Sequence, residues 1–241
     1  MRDDDVLVRR SIALASPEAG VVTAWLEDNF HHFGVRLMHD GNRVTRIAAA
    51  TIRFPWTTCG GAGQPLKALE GQALIARPDA LSTLLPMQFQ CTHLFELAAL
   101  AMVHAAHGDV DRRYDMVVRK DSAFPGRHRG TMGRDGRDVL CMDIDGSMIQ
   151  APAAYSGHDL YKGFRKWLAG FSDEEAVTLW LMRRLFWLSA GLVHFKPRPV
   201  AAGTGMGALC HTYQPEQRYH AYAMNTIIDV TDTRVTLLSR R

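Results

Sequence analysis

The stretch FHHFGVRLMHDGNRVTRIAAATIRF, Phe30 to Phe54, decides how the chain is read. Two β-prone runs flank His39-Asp40-Gly41-Asn42, and Asp, Gly and Asn tolerate the positive φ that a tight turn requires. The stretch is therefore a hairpin. Side chains alternate along a strand, so His31, Phe33, Val35 and Leu37 share one face while His32, Gly34 and Arg36 share the other. His31 then points toward the core and His32 toward solvent or a partner layer.

Outward from this hairpin, residues 1–20 read as a flexible N-terminus. Downstream, Phe54-Pro55-Trp56-Thr57-Thr58-Cys59 leads into the loop Gly60-Gly61-Ala62-Gly63, followed by short helical patterns at Pro65–Leu74 and Asp79–Leu85. A longer helix opens at QCTHLFELAALAMVHAAH, Gln90 to His107. Strands return in YDMVVRK and in HRGTMGRDGRDVLCMDIDGSMIQ, with Asp135-Gly136 as a second hairpin turn. The longest helical pattern spans about 159–195 and divides at Gly170-Phe171-Ser172, because Ser172 followed by Glu175 is a capping box. A Pro- and Gly-rich loop, about 196–209, precedes CHTYQPEQRYHAYAMNTIIDVT, read as a final strand or pair of strands. The expected fold is α+β: antiparallel hairpins packed against a long carboxyl-terminal helical region, in a single domain over 1–241. No βαβ rhythm suggests a parallel sheet.

The composition is that of an ordinary globular chain, with 241 residues, 47% hydrophobic and 22% charged, enough to bury a substantial core. Lys and Arg are scattered and the net charge is only +3, which excludes a nucleic-acid footprint. The amino terminus lacks the apolar core of a signal peptide, and no apolar run reaches the roughly 18 residues that span a bilayer. The expectation is a cytoplasmic protein that engages neither nucleic acid nor membrane. In that reducing compartment Cys59, Cys91, Cys141 and Cys210 are expected to be free thiols, buried small hydrophobes, metal ligands or catalytic groups rather than a disulfide framework.

Chemistry concentrates in QCTHLFEL. His93 and Glu96 lie one helical turn apart and can converge on one point. Cys91 precedes the helix body, where unpaired N–H groups and the positive dipole end favour a thiolate. Alternatively, Thr92 caps the helix, Glu96 complements the dipole and Cys91 fills a gap. Cys59 beside its glycines, Cys210-His211 and the inward-facing His31 supply the partner groups. Three thiolates and an imidazole are a ligand set for Zn²⁺ or iron. No nucleotide cofactor is expected: Gly203-Thr204-Gly205-Met206-Gly207 follows a Pro-rich loop and opens no recognisable helix. Asp143 and Asp145 lack the closing Glu of a Ca²⁺ loop. Ser147 and Ser189 lack a nucleophile elbow.

EDNFHHFGVRLMHDG, RFPWTTC, LEG, CTHLFEL, RRLFWLSAG and CHTYQP occur in that order and together resemble a bacterial domain family of unknown function, typified by a Cys-Thr-His-Leu motif. The likeness covers about 24–229. The family pattern has a second acidic residue where this chain has Asn29, beside Asp28. The resemblance implies that Cys59, Cys91, His93 and Cys210 stand at motif positions, and that Cys141 does not. By analogy with the bacteria in which similar proteins occur, it also implies the breakdown of aromatic or steroid-like compounds.

Two functions of different class follow. In the first, the chain is an enzyme of lyase or hydrolase type acting on a small apolar or aromatic substrate. Its pocket is walled by Trp56, Trp187 and Tyr213, with Phe30 and Trp180 also available. His31, His93 and Glu96 are its catalytic groups, and Cys59, Cys91 and Cys210 hold the metal. In the second, the Cys/His cluster is structural and the protein binds a ligand or partner without catalysis.

Overall fold

The structure, a computed structural model, describes residues 5–108, 110–194, 210–231 and 235–239, with the backbone alone for 192–194. Eight strands run in chain order: β1 (Val6–Glu18), β2 (Val21–Asp28), β3 (His32–His39), β4 (Val44–Arg53), β5 (Arg112–Lys120), β6 (Arg127–Arg134), β7 (Arg137–Asp145) and β8 (Met148–Ala151). They form one antiparallel sheet in the order β4-β3-β2-β1-β5-β6-β7-β8. The helices are α1 (Leu81–Leu84), α2 (Thr92–His107), α3 (Phe164–Leu168), α4 (Asp173–His194) and α5 (Pro215–Arg218), with short 3-10 turns between them.

This corrects the expected α+β arrangement of hairpins against a long carboxyl-terminal helical region. Helical residues are instead divided between α2 in mid-chain and α3 and α4 later, with short pieces elsewhere. The expected run over 159–195 is interrupted twice. Asp159 Oδ1 accepts the N–H groups of Tyr161 and Lys162, both at 2.7 Å, which makes a turn where the pattern suggested a helix. Ser172 then restarts the helix through the capping box, its hydroxyl and amide both reaching Glu175 Oε2, at 2.6 and 3.1 Å.

The amino terminus also differs from expectation. Val6–Glu18 is the longest strand, with Val8 and Ile12 fully buried. The Arg9-Arg10 pair masks it in the sequence, yet Arg10 is almost fully buried, and Arg9 donates to the Val235 carbonyl at 3.0 Å. At the other end, residues 210–231 form no strand. Pro215 lacks an N–H, and the segment bonds irregularly, Tyr222 O to Thr57 N at 3.0 Å and Met224 N to Pro55 O at 2.8 Å.

Contacts divide the chain into two compact units. One comprises Ile12–Arg112 and Lys196–Ile228. In it α2 packs against β2 and β3, and the hairpin register pairs Ala24 with Val35 and Leu26 with Phe33. Leu26, Phe33, Leu37, Leu94, Leu97 and Leu100 are essentially excluded from water. Each such side chain contributes about 1.5–3 kcal/mol. At the tip of the β3–β4 hairpin, Asp40 Oδ1 accepts the N–H groups of Asn42 and Arg43, and Gly41 takes a φ of 96°. The other unit comprises Met1–Ser11, Arg113–Phe195 and Asp229–Arg241. There β5 to β8 form antiparallel hairpins, and Asp135-Gly136 makes the β6–β7 turn with φ values of 52° and 79°.

Candidate functional site

The site begins where β2 ends. Asp28 closes a tight turn on itself: its Oδ1 accepts the backbone N–H groups of Phe30 and His31, each at 2.8 Å, and its own N–H donates to the His31 carbonyl at 2.9 Å. The same oxygen lies 3.1 Å from His31 Nδ1. Arg53 of β4 secures the turn from outside, with Nη2 donating to Asp28 O at 2.7 Å and Nη1 to Asn29 O at 2.9 Å. Asp and Asn favour turns in which the side chain satisfies the backbone, and here the carboxylate is fully buried. The result is an imidazole held in one orientation by a buried carboxyl oxygen.

His93 approaches from the first turn of α2. Its ring stacks on that of His31, with centroids 3.7 Å apart and planes inclined at 28°. Phe33 backs both rings, at 5.2 Å from His31 and 6.3 Å from His93. Ligand atoms of Asp28, His31 and His93 all lie within 4.8 Å of one another, and this is the one such group of His, Cys, Asp or Glu among the described residues. Asp28 and His31 are buried and His93 is half-buried.

The cysteine motifs converge nearby. His211 N donates to Gln90 O at 2.9 Å, which joins the start of α2 to the 3-10 turn His211–Tyr213. Cys59 Sγ lies 3.3 Å from Thr212 Oγ1, and Thr58 Oγ1 donates to the same hydroxyl at 3.1 Å. Thus PWTTC, QCTH and CHTY fold to one neighbourhood. The expected ligand set of Cys59, Cys91, Cys210 and His93 is a different group from the one observed, with only His93 in common. Burial pushes the Cys59 thiol up to about 12, against a smaller opposing effect from the Thr212 hydrogen bond. Burial also raises the Cys91 thiol, and the nearby Cys59 and Cys210 add to the rise. The N–H groups of Leu94 and His93 favour the Cys91 thiolate, but desolvation wins over the helix terminus.

The remaining expected residues scatter. Glu96 is fully buried in α2, outside the ligand group. Trp56 and Tyr213 meet edge to face at 6.2 Å, whereas Trp187 belongs to the other compact unit, where it packs against Tyr161 at 5.7 Å. Asp143 and Asp145 pair with Arg129 and Arg127 on the neighbouring strand. The loop containing Gly203 to Gly207 lies outside the described residues. A polar cleft along β4, lined by Arg46, Gln64, Lys67 and Glu70, contains none of the expected groups. Asp28 is not among the expected site residues, although its spacing to His31, three residues on across Asn29-Phe30, is that of a side-chain-closed turn.

No family model matches the chain, and no curated protein matches it. Among the described residues no helix is long and apolar enough to cross a membrane.

Proposed function

We propose that this chain is a cytoplasmic, metal-dependent enzyme of lyase or hydrolase type, acting on a small, largely apolar or aromatic compound, with Asp28, His31 and His93 as ligands of Zn²⁺ or Fe²⁺. One observation carries this: a buried carboxylate and two imidazoles offer ligand atoms within 4.8 Å of one another. One carboxylate and two imidazoles are a donor set that either ion accepts.

The fit is good on one side and asks for movement on the other. Ligand bonds of about 2.0–2.2 Å set neighbouring donor atoms roughly 3 Å apart, and the 3.1 Å between Asp28 Oδ1 and His31 Nδ1 suits this if the ion displaces the proton that the pair shares. Rings stacked at 3.7 Å and inclined at only 28° cannot both hold one nearby ion in their own planes, so one ring must turn for both to bind it. His93 is the one that turns, because Asp28 and His31 are locked by their shared backbone bonds.

The ion would supply Lewis acidity or a bound hydroxide at neutral pH. Asp28 supplies the negative charge that favours a cation in a buried site. Phe30 and Phe33, both buried, keep bulk water from the imidazoles. Three protein ligands leave coordination positions open, and half-buried His93 leaves an approach to them. In the competing case, a non-catalytic protein with a structural ion, a closed set of four ligands is expected. Elemental analysis of protein purified without added metal tests the proposal. Near-stoichiometric Zn or Fe, lost in His93→Ala and removable by chelation without unfolding, is the expected result. An ion whose removal unfolds the chain would favour the structural alternative, and absence of any ion would overturn both.

A further inference from the structure

A cluster of aromatic side chains surrounds Arg183 of α4. Arg183 extends from this helix into a ring of aromatic side chains. Its Cζ lies 5.1 Å from the Phe164 ring centroid, 5.3 Å from Trp187 and 5.8 Å from Tyr161. Its Nε–H donates to the Leu160 carbonyl at 3.1 Å, which fixes the plane of the guanidinium. Tyr161 is itself held by the Asp159 turn, its N–H on Asp159 Oδ1 at 2.7 Å.

This arrangement leaves the far end of the guanidinium unused. Among the described residues no carboxylate pairs with Arg183, and its two terminal nitrogens donate to no protein acceptor. Burial, reinforced by the neighbouring Arg184, pushes its pKa down to about 10. The group is still charged at neutral pH, in a place that disfavours charge. An arginine stacked on rings gains about 0.5–1 kcal/mol where exposed, but stacking does not satisfy N–H donors or supply an anion. Trp187 meanwhile keeps 39% of its surface exposed.

We propose that Arg183, with Tyr161, Phe164 and Trp187, binds a small aromatic carboxylate. The carboxylate accepts two parallel N–H groups from the terminal fork, a geometry that arginine matches and lysine does not. The aromatic body packs on the exposed part of Trp187, so the site selects charge and ring together.

Benzoate is the probe, titrated into the full chain by calorimetry and by tryptophan fluorescence, beside benzyl alcohol and benzylammonium. Benzoate is expected to bind saturably and at least ten-fold more tightly than either. Arg183→Lys, which keeps the charge and loses the fork, is expected to weaken it ten-fold or more, and Trp187→Phe to remove the fluorescence change. A carboxylate could also reach an ion held at Asp28, His31 and His93, so benzoate binding must persist in His93→Ala. Loss of binding there, benzoate no tighter than benzyl alcohol, or an Arg183→Lys titration equal to wild type would each overturn the assignment. If a variant fails to fold, the three probes titrated into the native chain with a metal chelator present still decide, because the chelator removes the ion and leaves Arg183 in place.

Discussion

The imidazole rings of His31 and His93 are stacked 3.7 Å apart, although one residue ends the turn after β2 and the other opens α2. The contact is long-range in sequence, and it depends on two local structures being right: the Asp28 turn and the first turn of the helix. Each can be broken separately.

Replacing Asp28 by Ala removes the acceptor for the N–H groups of Phe30 and His31 and for His31 Nδ1, all buried. Buried donors left without a partner cost about 1–3 kcal/mol each, and partial relaxation brings the total to roughly 2–4 kcal/mol. Urea unfolding should show that loss. Asp28→Asn, which keeps one oxygen for the backbone donors, should lose less than half as much. Equal stability in all three proteins would show that the turn does not depend on the side chain.

Cys59 predicts an alkaline weakness. Burial raises its thiol from 9.0 to about 12, so the unfolded chain ionises it first. Stability is full below about pH 9 and falls as pH rises from there toward 12, with a limiting slope near 1.4 kcal/mol per pH unit for one thiol. The unfolding free energy of wild type and Cys59→Ala, followed from pH 8 to 11, should diverge in slope by about that amount. Parallel curves would mean that the thiol ionises as readily in the fold as out of it.

In the other unit, Gly130 of β6 marks a close approach of sheet and helix. A Cβ there would stand 2.7 Å from both Met182 Sδ and Phe186 Cζ of α4. Gly130→Ala should therefore destabilise by about 1–3 kcal/mol through overpacking. Truncating the neighbour in Gly130→Ala/Met182→Ala should recover part of that loss relative to the sum of the single changes, a double-mutant cycle read by thermal unfolding. Strict additivity would place the strain elsewhere.

Much of this was legible in the sequence, for local reasons. The turn at Asp40-Gly41, the turn at Asp135-Gly136 and the capping box at Ser172 are each specified by a few adjacent residues, and each forms. Alternation along β3 placed His31, Phe33, Val35 and Leu37 inward, and all four are buried. What escaped was set by tertiary context. A strand carrying Arg9 and Arg10 looks like a polar tail, yet the Val235 carbonyl accepts from Arg9 and the fold buries Arg10. Residues 210–231 alternate like a strand, yet they bond to loops instead of to a sheet edge. The helix terminus suggests a thiolate at Cys91, with gap-filling as the alternative, and burial favours the neutral thiol. Asp28 stood outside the expected site residues because its role is set by the turn through which it orients His31.

The central claim is that Asp28, His31 and His93 hold a metal ion. Zinc and iron content per chain should be measured on wild type, Asp28→Asn, His31→Ala and His93→Ala, purified identically and confirmed folded. The account predicts close to one ion per wild-type chain and a loss of at least ten-fold in each variant. It is contradicted if the wild type carries no ion, or if the ion persists in the three variants and disappears only when Cys59, Cys91 or Cys210 is replaced.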